Sequence, residues 1–292
     1  MISVETVRKR YGPLVALDGV DFAVEAGEIV AVLGPNGAGK TTLIEIMEGF
    51  QRPDSGRVTV LGTDPYAEGP RLRERVGVML QECEPEPYLS VTELLELYRG
   101  YYRKPRPMAE LLDRVGLGDK AGARIRALSG GQRRRLDLAV ALVGNPELVF
   151  MDEPTTGFDP EARQAAWQVV RDLRDSGTTV VLTTHYLEEA EALADRVVVL
   201  VEGGVRAQGP PETIGDRHRA PTRVSFSRLG SVTGDELPVP TCVQGDRWVA
   251  ITDSPTATLA ILTSWAVGRG VELESLSVTR PSLQDTYLEL IR

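Results

Sequence analysis

The chain has 292 residues, of which 42% are hydrophobic and 26% are charged, as in an ordinary soluble protein with one large domain or one large and one small domain. Its formal net charge of −9 disfavours a general nucleic-acid coat, which needs a basic face. No apolar run reaches the length of a membrane-spanning helix, and the amino terminus lacks the apolar segment of a signal peptide. We therefore expect a cytoplasmic protein that does not insert into a membrane, with Cys83 and Cys242 as reduced thiols.

The first part of the chain predicts a small antiparallel sheet and then a phosphate-binding loop. Residues 2–24 alternate apolar and polar side chains, which indicates strands. The run Ile29 to Leu33 predicts a buried strand, and a helix is expected from Lys40 until Gly49. Between them lies the pattern G-x-x-x-x-G-K-[ST], whose glycines let successive N–H groups face an anion. The predicted nucleotide-binding residues here are Gly34, Pro35, Asn36, Gly37, Ala38, Gly39, Lys40, Thr41 and Thr42.

The middle of the chain has a helical character. Cys83 to Arg135 contains two segments with helical spacing, including Leu94, Leu95 and Leu97, and predicts a helical subdomain inserted into an α/β core. The sequence LSGGQ at 128–132 then begins a further helix, with Ser129 as its N-cap. We interpret the basic run 133–135 as a solvated helix face and not as a nucleic-acid patch.

The core then resumes with strands that alternate with helices, which predicts a mostly parallel sheet. Leu148 to Met151 is a buried strand, and the acidic pair Asp152-Glu153 follows at its carboxyl end, where α/β proteins bind ligands. Asp159-Pro160 starts a helix with an apolar stripe that includes Ala165. A second buried strand, TTVVLTT, delivers His185.

Near Gly203 the composition becomes rich in Gly, Pro and charge, which predicts a linker that contains His218 as a surface residue. From Thr222 onwards, four strand-like segments and two helical segments predict a small α+β domain, with Trp248 and Trp265 in its core.

The order of these features carries a resemblance. Tyr11, GPNGAGKTT, Gln81, LSGGQ, LVFMDE, TGFDP and His185 follow one another as in the ATP-binding cassette (ABC) ATPases that drive transporters. The resemblance covers roughly residues 1–215. It implies an α/β P-loop NTPase core with an antiparallel β subdomain and an inserted helical subdomain at about 83–135. Residues 216–292 would form a small C-terminal α+β accessory domain.

The resemblance also implies roles for single residues. Tyr11 resembles the aromatic side chain that stacks on adenine. Gln81 resembles the residue that ligates Mg²⁺ and senses the attacking water, and Thr41 and Asp152 would complete the metal ligands. Glu153 would polarise the attacking water. His185 would bind the γ-phosphate and help to hold Glu153.

A second set of residues is expected to act across a dimer. In the family, the helix start at Ser129, Gly130 and Gly131 binds the ATP of a partner subunit. Gln132 and Asp159 belong to the same predicted nucleotide-binding set. The resemblance therefore implies a homodimer that holds two ATP molecules between its subunits.

The carboxyl-terminal VTRPSLQDTYLELIR resembles the tail of ATPases of the daunorubicin-resistance type. This implies an ATPase that powers export of a drug, antibiotic or other small hydrophobic molecule through a separate integral membrane permease, at the cytoplasmic face of the membrane. The alternative is a soluble ABC-type switch of translation or DNA maintenance, disfavoured by the single P-loop, the absence of sustained heptads and the acidic balance. A non-hydrolysing nucleotide-binding scaffold is disfavoured by Glu153 and His185.

Overall fold

The computed structural model describes residues 1–79, 86–215, 220–228, 232–280 and 282–291. Gln81, Cys83 and His218, three residues singled out above, lie outside this part. The chain divides into two compact units, Met1–Pro211 and Glu212–Leu290, which are described one after the other. In the described ranges, no helix combines the length and apolar character needed to cross a bilayer.

The first unit alternates strands and helices, as expected. Its elements are β1 (Ile2–Tyr11), β2 (Leu14–Val24), β3 (Ile29–Leu33), α1 (Lys40–Glu48), β4 (Ser55–Val60), α2 (Gly69–Arg73), β5 (Val76–Met79), α3 (Val91–Arg99), α4 (Met108–Arg114), α5 (Gly130–Leu142), β6 (Leu148–Asp152), α6 (Pro160–Asp175), β7 (Thr179–Thr183), α7 (Leu187–Leu193), β8 (Arg196–Val201) and β9 (Gly204–Gly209).

The central sheet has six strands in the order β5-β6-β7-β3-β8-β9. All neighbouring pairs are parallel except β8 and β9. Strands β3 and β7 are buried at every position, as expected for a parallel sheet covered on both faces. Because β7 lies between β3 and β6, the carboxyl ends of these strands bring the loop after β3 and the acidic pair at the end of β6 to the same edge.

A separate three-stranded antiparallel sheet, β2-β1-β4, confirms the prediction for residues 2–24. Its alternating apolar side chains are buried in one core with α1 and the central sheet. This packing fixes α1, and with it the loop that precedes α1, against β2.

The predicted linker is wrong over its first residues, because Gly204–Gly209 forms β9 on the edge of the central sheet. Glu202 and Gly203 both have positive φ angles, +49° and +78°, which is the signature of a tight two-residue hairpin turn. Glu is uncommon at such a position, so composition alone gave no hairpin signal.

Two apolar side chains also differ from their predicted burial. Leu97 on α3 is exposed, because the buried face of that helix uses Val91, Leu94 and Leu95. Ala165 on α6 is exposed, while its neighbour Ala166 is buried. Both residues sit one position away from the buried stripe.

The second unit contains β10 (Thr222–Ser227), β11 (Cys242–Gln244), β12 (Arg247–Thr252), α8 (Pro255–Arg269), β13 (Ser277–Thr279) and α9 (Leu283–Leu290). Its four strands form an antiparallel sheet in the order β11-β12-β10-β13. Trp248 is buried in the core of this unit, and Trp265 on α8 packs against that core while partly exposed. The core positions of both tryptophans are thus confirmed.

Candidate active site

The loop between β3 and α1 requires glycine at two positions for steric reasons. A Cβ atom on Gly34 would lie 2.3 Å from the carbonyl oxygen of Leu200, and one on Gly39 would lie 2.3 Å from that of Ala16. Gly39 also has a φ of +100°, a left-handed conformation, and it caps the start of α1. The loop is therefore pressed against β8 and β2, and it opens at the N-terminus of a helix, which favours anions.

Lys40, the first residue of α1, extends its side chain back over this loop. Its ammonium donates hydrogen bonds to the carbonyl oxygens of Gly34, at 2.8 Å, and Pro35, at 3.1 Å. Burial lowers the pKa of Lys40, and the carboxylates of Glu153 and Asp152 act in the opposite direction. The ammonium is thus close enough to both acidic side chains to experience their charge.

The acidic pair is held by the end of the neighbouring strand. The Thr183 hydroxyl donates to Asp152 Oδ1 and accepts from the Glu153 N–H at 3.2 Å. The same N–H also donates to the Thr183 carbonyl oxygen at 3.1 Å. Thr183 was not singled out from the sequence. Its position at the carboxyl end of a buried strand, where α/β proteins bind ligands, could have identified it.

Glu153 and His185 are in direct contact. His185 Nδ1 lies 3.0 Å from Glu153 Oε1, and the Thr156 hydroxyl donates to Glu153 Oε2 at 3.1 Å. The Glu153 side chain is 19% exposed and that of His185 is 47% exposed, so solvent reaches the pair. A fixed carboxylate with an adjacent imidazole can orient a water molecule and take its proton.

The start of α5 forms the expected cap. The Ser129 hydroxyl accepts from the Gln132 N–H at 3.2 Å, and the Gln132 amide oxygen accepts from the Ser129 N–H at 2.9 Å. Ser129 and Gly130 are exposed. In the described part of the chain, no hydrogen bond joins this helix start to the Lys40 loop.

Asp159 and Tyr11 lie at two further exposed places. Asp159 caps α6, its Oδ1 accepting from the Ala162 N–H at 2.8 Å. Tyr11 ends β1 with 41% of its surface exposed, and the Lys9 ammonium lies 5.5 Å from its ring centre. Lys40 thus lies close enough to the acidic pair to experience its charge, whereas Asp159 and Tyr11 lie on separate elements, α6 and β1.

The prediction of a solvated basic run is wrong for Arg134, which is 8% exposed. Its guanidinium donates to the carbonyl oxygens of Asp152, at 2.8 Å, Glu153, at 2.9 Å, and Pro154, at 3.3 Å. The spacing of Arg134 with Leu138 on the buried side of α5 is the signal that could have identified it.

A buried acid at the end of α1 was also missed. Glu48 is 6% exposed. Burial, with smaller contributions from the nearby carboxylates of Asp152 and Glu45, raises the pKa of Glu48 to about 8. A glutamate in the last turn of an amphipathic helix is ordinarily expected to face solvent, so the position of Glu48 beside Met47 gave no indication of its burial.

Comparison with known proteins identifies the family. The family profile described as "ABC transporter" matches residues 17–156, and one described as "ABC transporter domain-containing protein-like, C-terminal domain" matches residues 221–282. The daunorubicin resistance ATP-binding protein DrrA3 of Streptomyces coeruleorubidus is 40% identical over 302 residues, covering 99% of this chain and 95% of that protein. A Nod factor export ATP-binding protein I from Ralstonia nicotianae is 42% identical over 243 residues, 82% of this chain and 74% of the relative.

Solved structures agree with these sequence relatives. The dimeric post-hydrolysis state of the ATP-binding cassette MJ0796 bound to ADP and Pi covers 72% of this chain and 98% of its own, with a TM-score of 0.64 and 28% identity. An ATP-binding subunit of an ABC transporter covers 73% of this chain and 90% of its own, with a TM-score of 0.66 and 27% identity. The chain therefore belongs to the ATP-binding cassette family, as an ATP-binding and ATP-hydrolysing ABC transporter ATPase.

Proposed function

We propose that Glu153 is the carboxylate that activates water for ATP hydrolysis at the Lys40 loop. The observation that carries this proposal is the contact between Glu153 and His185, at 3.0 Å, at the strand edge where Lys40 experiences the charge of the acidic pair. The hydrogen bond from Thr156 and the contact with His185 engage both carboxylate oxygens, so the side chain has a defined direction. A positioned general base typically contributes about 10²–10⁴-fold to a rate.

Phosphate binding would follow from the loop and its lysine. The Lys40 ammonium now rests on the Gly34 and Pro35 carbonyl oxygens, and a bound triphosphate offers it a stronger, charged acceptor. The amides of residues 37–41 and the side chain of Thr42 would hold the remaining phosphate oxygens. Tyr11, exposed at the end of β1, would stack on the adenine.

A divalent cation fits the oxygen atoms present at this edge. Mg²⁺ prefers one or two protein oxygens together with phosphate oxygens and water, and Thr41 and Asp152 offer a hydroxyl and a carboxylate. Thr41 is exposed at the start of α1, and Thr183 orients the Asp152 carboxylate. Gln81 would be a further ligand. Mg²⁺, when bound, would neutralise charge on the phosphates.

The second copy of the chain would complete each site. The start of α5 at Ser129–Gly131, where Ser129 and Gly130 are exposed, would bind the γ-phosphate held by the partner's loop, because a helix N-terminus favours anions. The Gln132 side chain would support this start through its bond to the Ser129 N–H. Asp159, at the exposed start of α6, would contribute at the same interface. Support for a dimer comes from the cassette MJ0796, which is 28% identical to this chain and whose structure is dimeric.

We infer further that the ATPase powers export of a drug, antibiotic or other small hydrophobic molecule. The support is the near full-length similarity to daunorubicin resistance ATP-binding proteins, which extends through residues 216–292, the proposed accessory domain. Residues 1–215 would form the ATP-binding domain. A separate membrane permease would hold this subunit at the cytoplasmic face of the membrane through the segment of about 83–135.

The hydrolytic assignment is tested with Glu153→Gln in the full chain, which we expect to bind ATP normally and to hydrolyse it at least about 100-fold more slowly. Lys40→Ala should lose tight ATP binding. Glu161→Gln is the matched control, since Glu161 is an exposed acid in the first turn of α6. Turnover of Glu153→Gln at the wild-type rate would refute the assignment.

The export assignment is tested by growth of cells on daunorubicin. Cells that express the protein together with its membrane partner should tolerate more of the compound, and cells with Glu153→Gln should not. Purification of the protein from membranes with a polytopic partner should depend on the segment of about 83–135. Unchanged tolerance, together with recovery of the protein on ribosomes or DNA, would favour the soluble switch instead.

A further inference from the structure

A single guanidinium organises the turn that carries Glu153. Arg134 Nη2 donates to the carbonyl oxygens of Asp152 at 2.8 Å and Glu153 at 2.9 Å, and Nε donates to that of Pro154 at 3.3 Å. Three successive carbonyl groups can face one cation only when the backbone curls around it. Because guanidinium is planar, always charged and rich in donors, it holds such a turn in one orientation.

The turn has an unusual conformation at its central residue. Glu153 has a φ of +47°, a left-handed value that non-glycine residues rarely adopt. Its N–H is bound to Thr183 and its carbonyl oxygen to Arg134, so both peptide groups of the residue are fixed. Without the bonds from Arg134, Glu153 can relax to a negative φ, which turns its carboxylate away from His185.

Arg134 belongs to the helix that begins at Ser129. The two residues are five positions apart on α5, a distance of about 7.5 Å along a helix axis. The Ser129 end is exposed, whereas the Arg134 side chain is only 9% exposed. A shift or rotation of this short, rigid segment at one end is therefore passed to the Asp152–Pro154 turn at the other.

We propose that Arg134 is a positioning residue that couples the two nucleotide sites of the dimer, by tying the helix start that contacts one ATP to the turn that directs Glu153 at the other. This rests on the proposed function, in which Ser129 and Glu153 of one chain serve different ATP molecules. When an ATP binds at Ser129, α5 is fixed, and Arg134 then fixes Glu153 of the same chain beside its own nucleotide.

The nearby acid does not account for the arrangement. The Asp137 carboxylate lies 3.9 Å from Arg134 Nη1, one helical turn further along α5. This pair anchors the guanidinium on its own helix, whereas the three carbonyl groups belong to another element. The buried guanidinium of Arg134 therefore serves mainly to bind the carbonyl groups of the Glu153 turn.

The first test compares ATP turnover and ATP binding in full-length variants. Arg134→Met should lower kcat by about 10-fold or more while KM and the ATP dissociation constant stay within about twofold, because the Lys40 loop is untouched. Arg134→Lys should restore part of kcat, since an ammonium can satisfy some of the carbonyl groups but not in the fork geometry. Arg133→Met is the matched control on the exposed neighbour and should behave as wild type.

The second test isolates the coupling in mixed dimers purified through two affinity tags. One chain carries Glu153→Gln, so hydrolysis occurs only at the site that uses Glu153 of the other chain. Ser129 of that other chain contacts the inactive site, yet Ser129→Ala there should slow single-turnover hydrolysis by about threefold or more. The slowing should vanish when the same chain also carries Arg134→Met.

Three results would overturn the proposal. The first is a wild-type kcat for Arg134→Met. The second is a loss of ATP binding and melting temperature that matches the loss of kcat and is not rescued by lysine. The third is a mixed dimer whose hydrolysis rate is unchanged by Ser129→Ala. All three differ from failure of the proposed function, in which Glu153→Gln itself would hydrolyse ATP at the wild-type rate or no dimer would form.

Discussion

Substitution of Gly39 by alanine should destabilise the first unit far more than the same substitution at Gly37. Both glycines lie in the phosphate-binding loop with positive φ angles, +100° and +80°. A Cβ atom on Gly39 would meet the Ala16 carbonyl oxygen at 2.3 Å and Leu17 Cδ2 at 2.8 Å, whereas one on Gly37 would meet nothing within 4 Å. The pair therefore separates steric clash from conformational preference.

The magnitude follows from these two terms. A non-glycine residue in the left-handed region costs about 1–2 kcal/mol, and both variants carry this cost. Gly39→Ala adds the displacement of a backbone carbonyl group, which overpacking data place at about 1–3 kcal/mol. We expect a loss of about 1–2 kcal/mol for Gly37→Ala and about 2–5 kcal/mol for Gly39→Ala.

Urea unfolding measures the difference. Trp167 is the tryptophan of the first unit, and substitution of Trp248 and Trp265 by phenylalanine leaves it as the fluorescent reporter. With a slope of about 2–3 kcal/mol/M, the two midpoints should differ by roughly 0.3–1.5 M. Equal shifts for both variants, or a neutral Gly39→Ala, would refute the steric argument.

Three further outcomes are expected. Glu48 has a pKa of about 8 in the folded protein and a reference value of 4.5, so between these pH values the folded state holds a proton that the unfolded chain loses. The free energy of unfolding should therefore fall as pH rises from 4.5 to 8, by at most about 5 kcal/mol. Urea titrations of Glu48→Gln should show this fall removed. Ser129→Ala and Ser90→Ala each remove a capping box, at about 1 kcal/mol, but only Ser129→Ala should lower ATP turnover; equal turnover in both would count against its proposed role. Trp167→Phe removes a donor 3.0 Å from Oε1 of the fully buried Glu189 and should cost about 1–3 kcal/mol in thermal unfolding. A neutral result would show that the Thr155 hydrogen bond to the same oxygen is sufficient.

Local patterns in the sequence were sufficient for the elements that carry a strong period or a cap. The strand Ile29–Leu33, the helix from Lys40 to Glu48 and the Ser129 cap follow from apolar runs, glycines and short-range hydrogen bonds, all of which are encoded within a few residues. The parallel order of strands likewise follows from their alternation with helices.

The features that escaped prediction depend on contacts between distant residues. Arg134 is buried because three carbonyl groups, about 20 positions away in the sequence, turn towards it. The pKa of Glu48 is raised because the packing of α1 buries its carboxyl group, and the charge of Asp152 adds to this effect. The spacing of Arg134 on α5 indicates its burial, but residue type and spacing show neither its carbonyl partners nor the surroundings of Glu48.

The fate of β9 illustrates the same limit for secondary structure. Its residues are rich in glycine and polar side chains, which predicts a linker. The turn at Glu202-Gly203 and pairing with β8 at the edge of the sheet instead hold them in a strand. Tertiary pairing overrides the weak local preference in this case.

The central claim is that two chains enclose two ATP molecules, each chain lending Ser129 to the other's Lys40. It is tested most directly by two measurements on Glu153→Gln in the presence of ATP, namely its mass by light scattering and the amount of nucleotide that it binds. We predict a dimer with two ATP molecules, which returns to monomer when Ser129→Ala is added. A Glu153→Gln protein that binds ATP but stays monomeric, beside a wild-type monomer that hydrolyses ATP at full rate, would contradict the account.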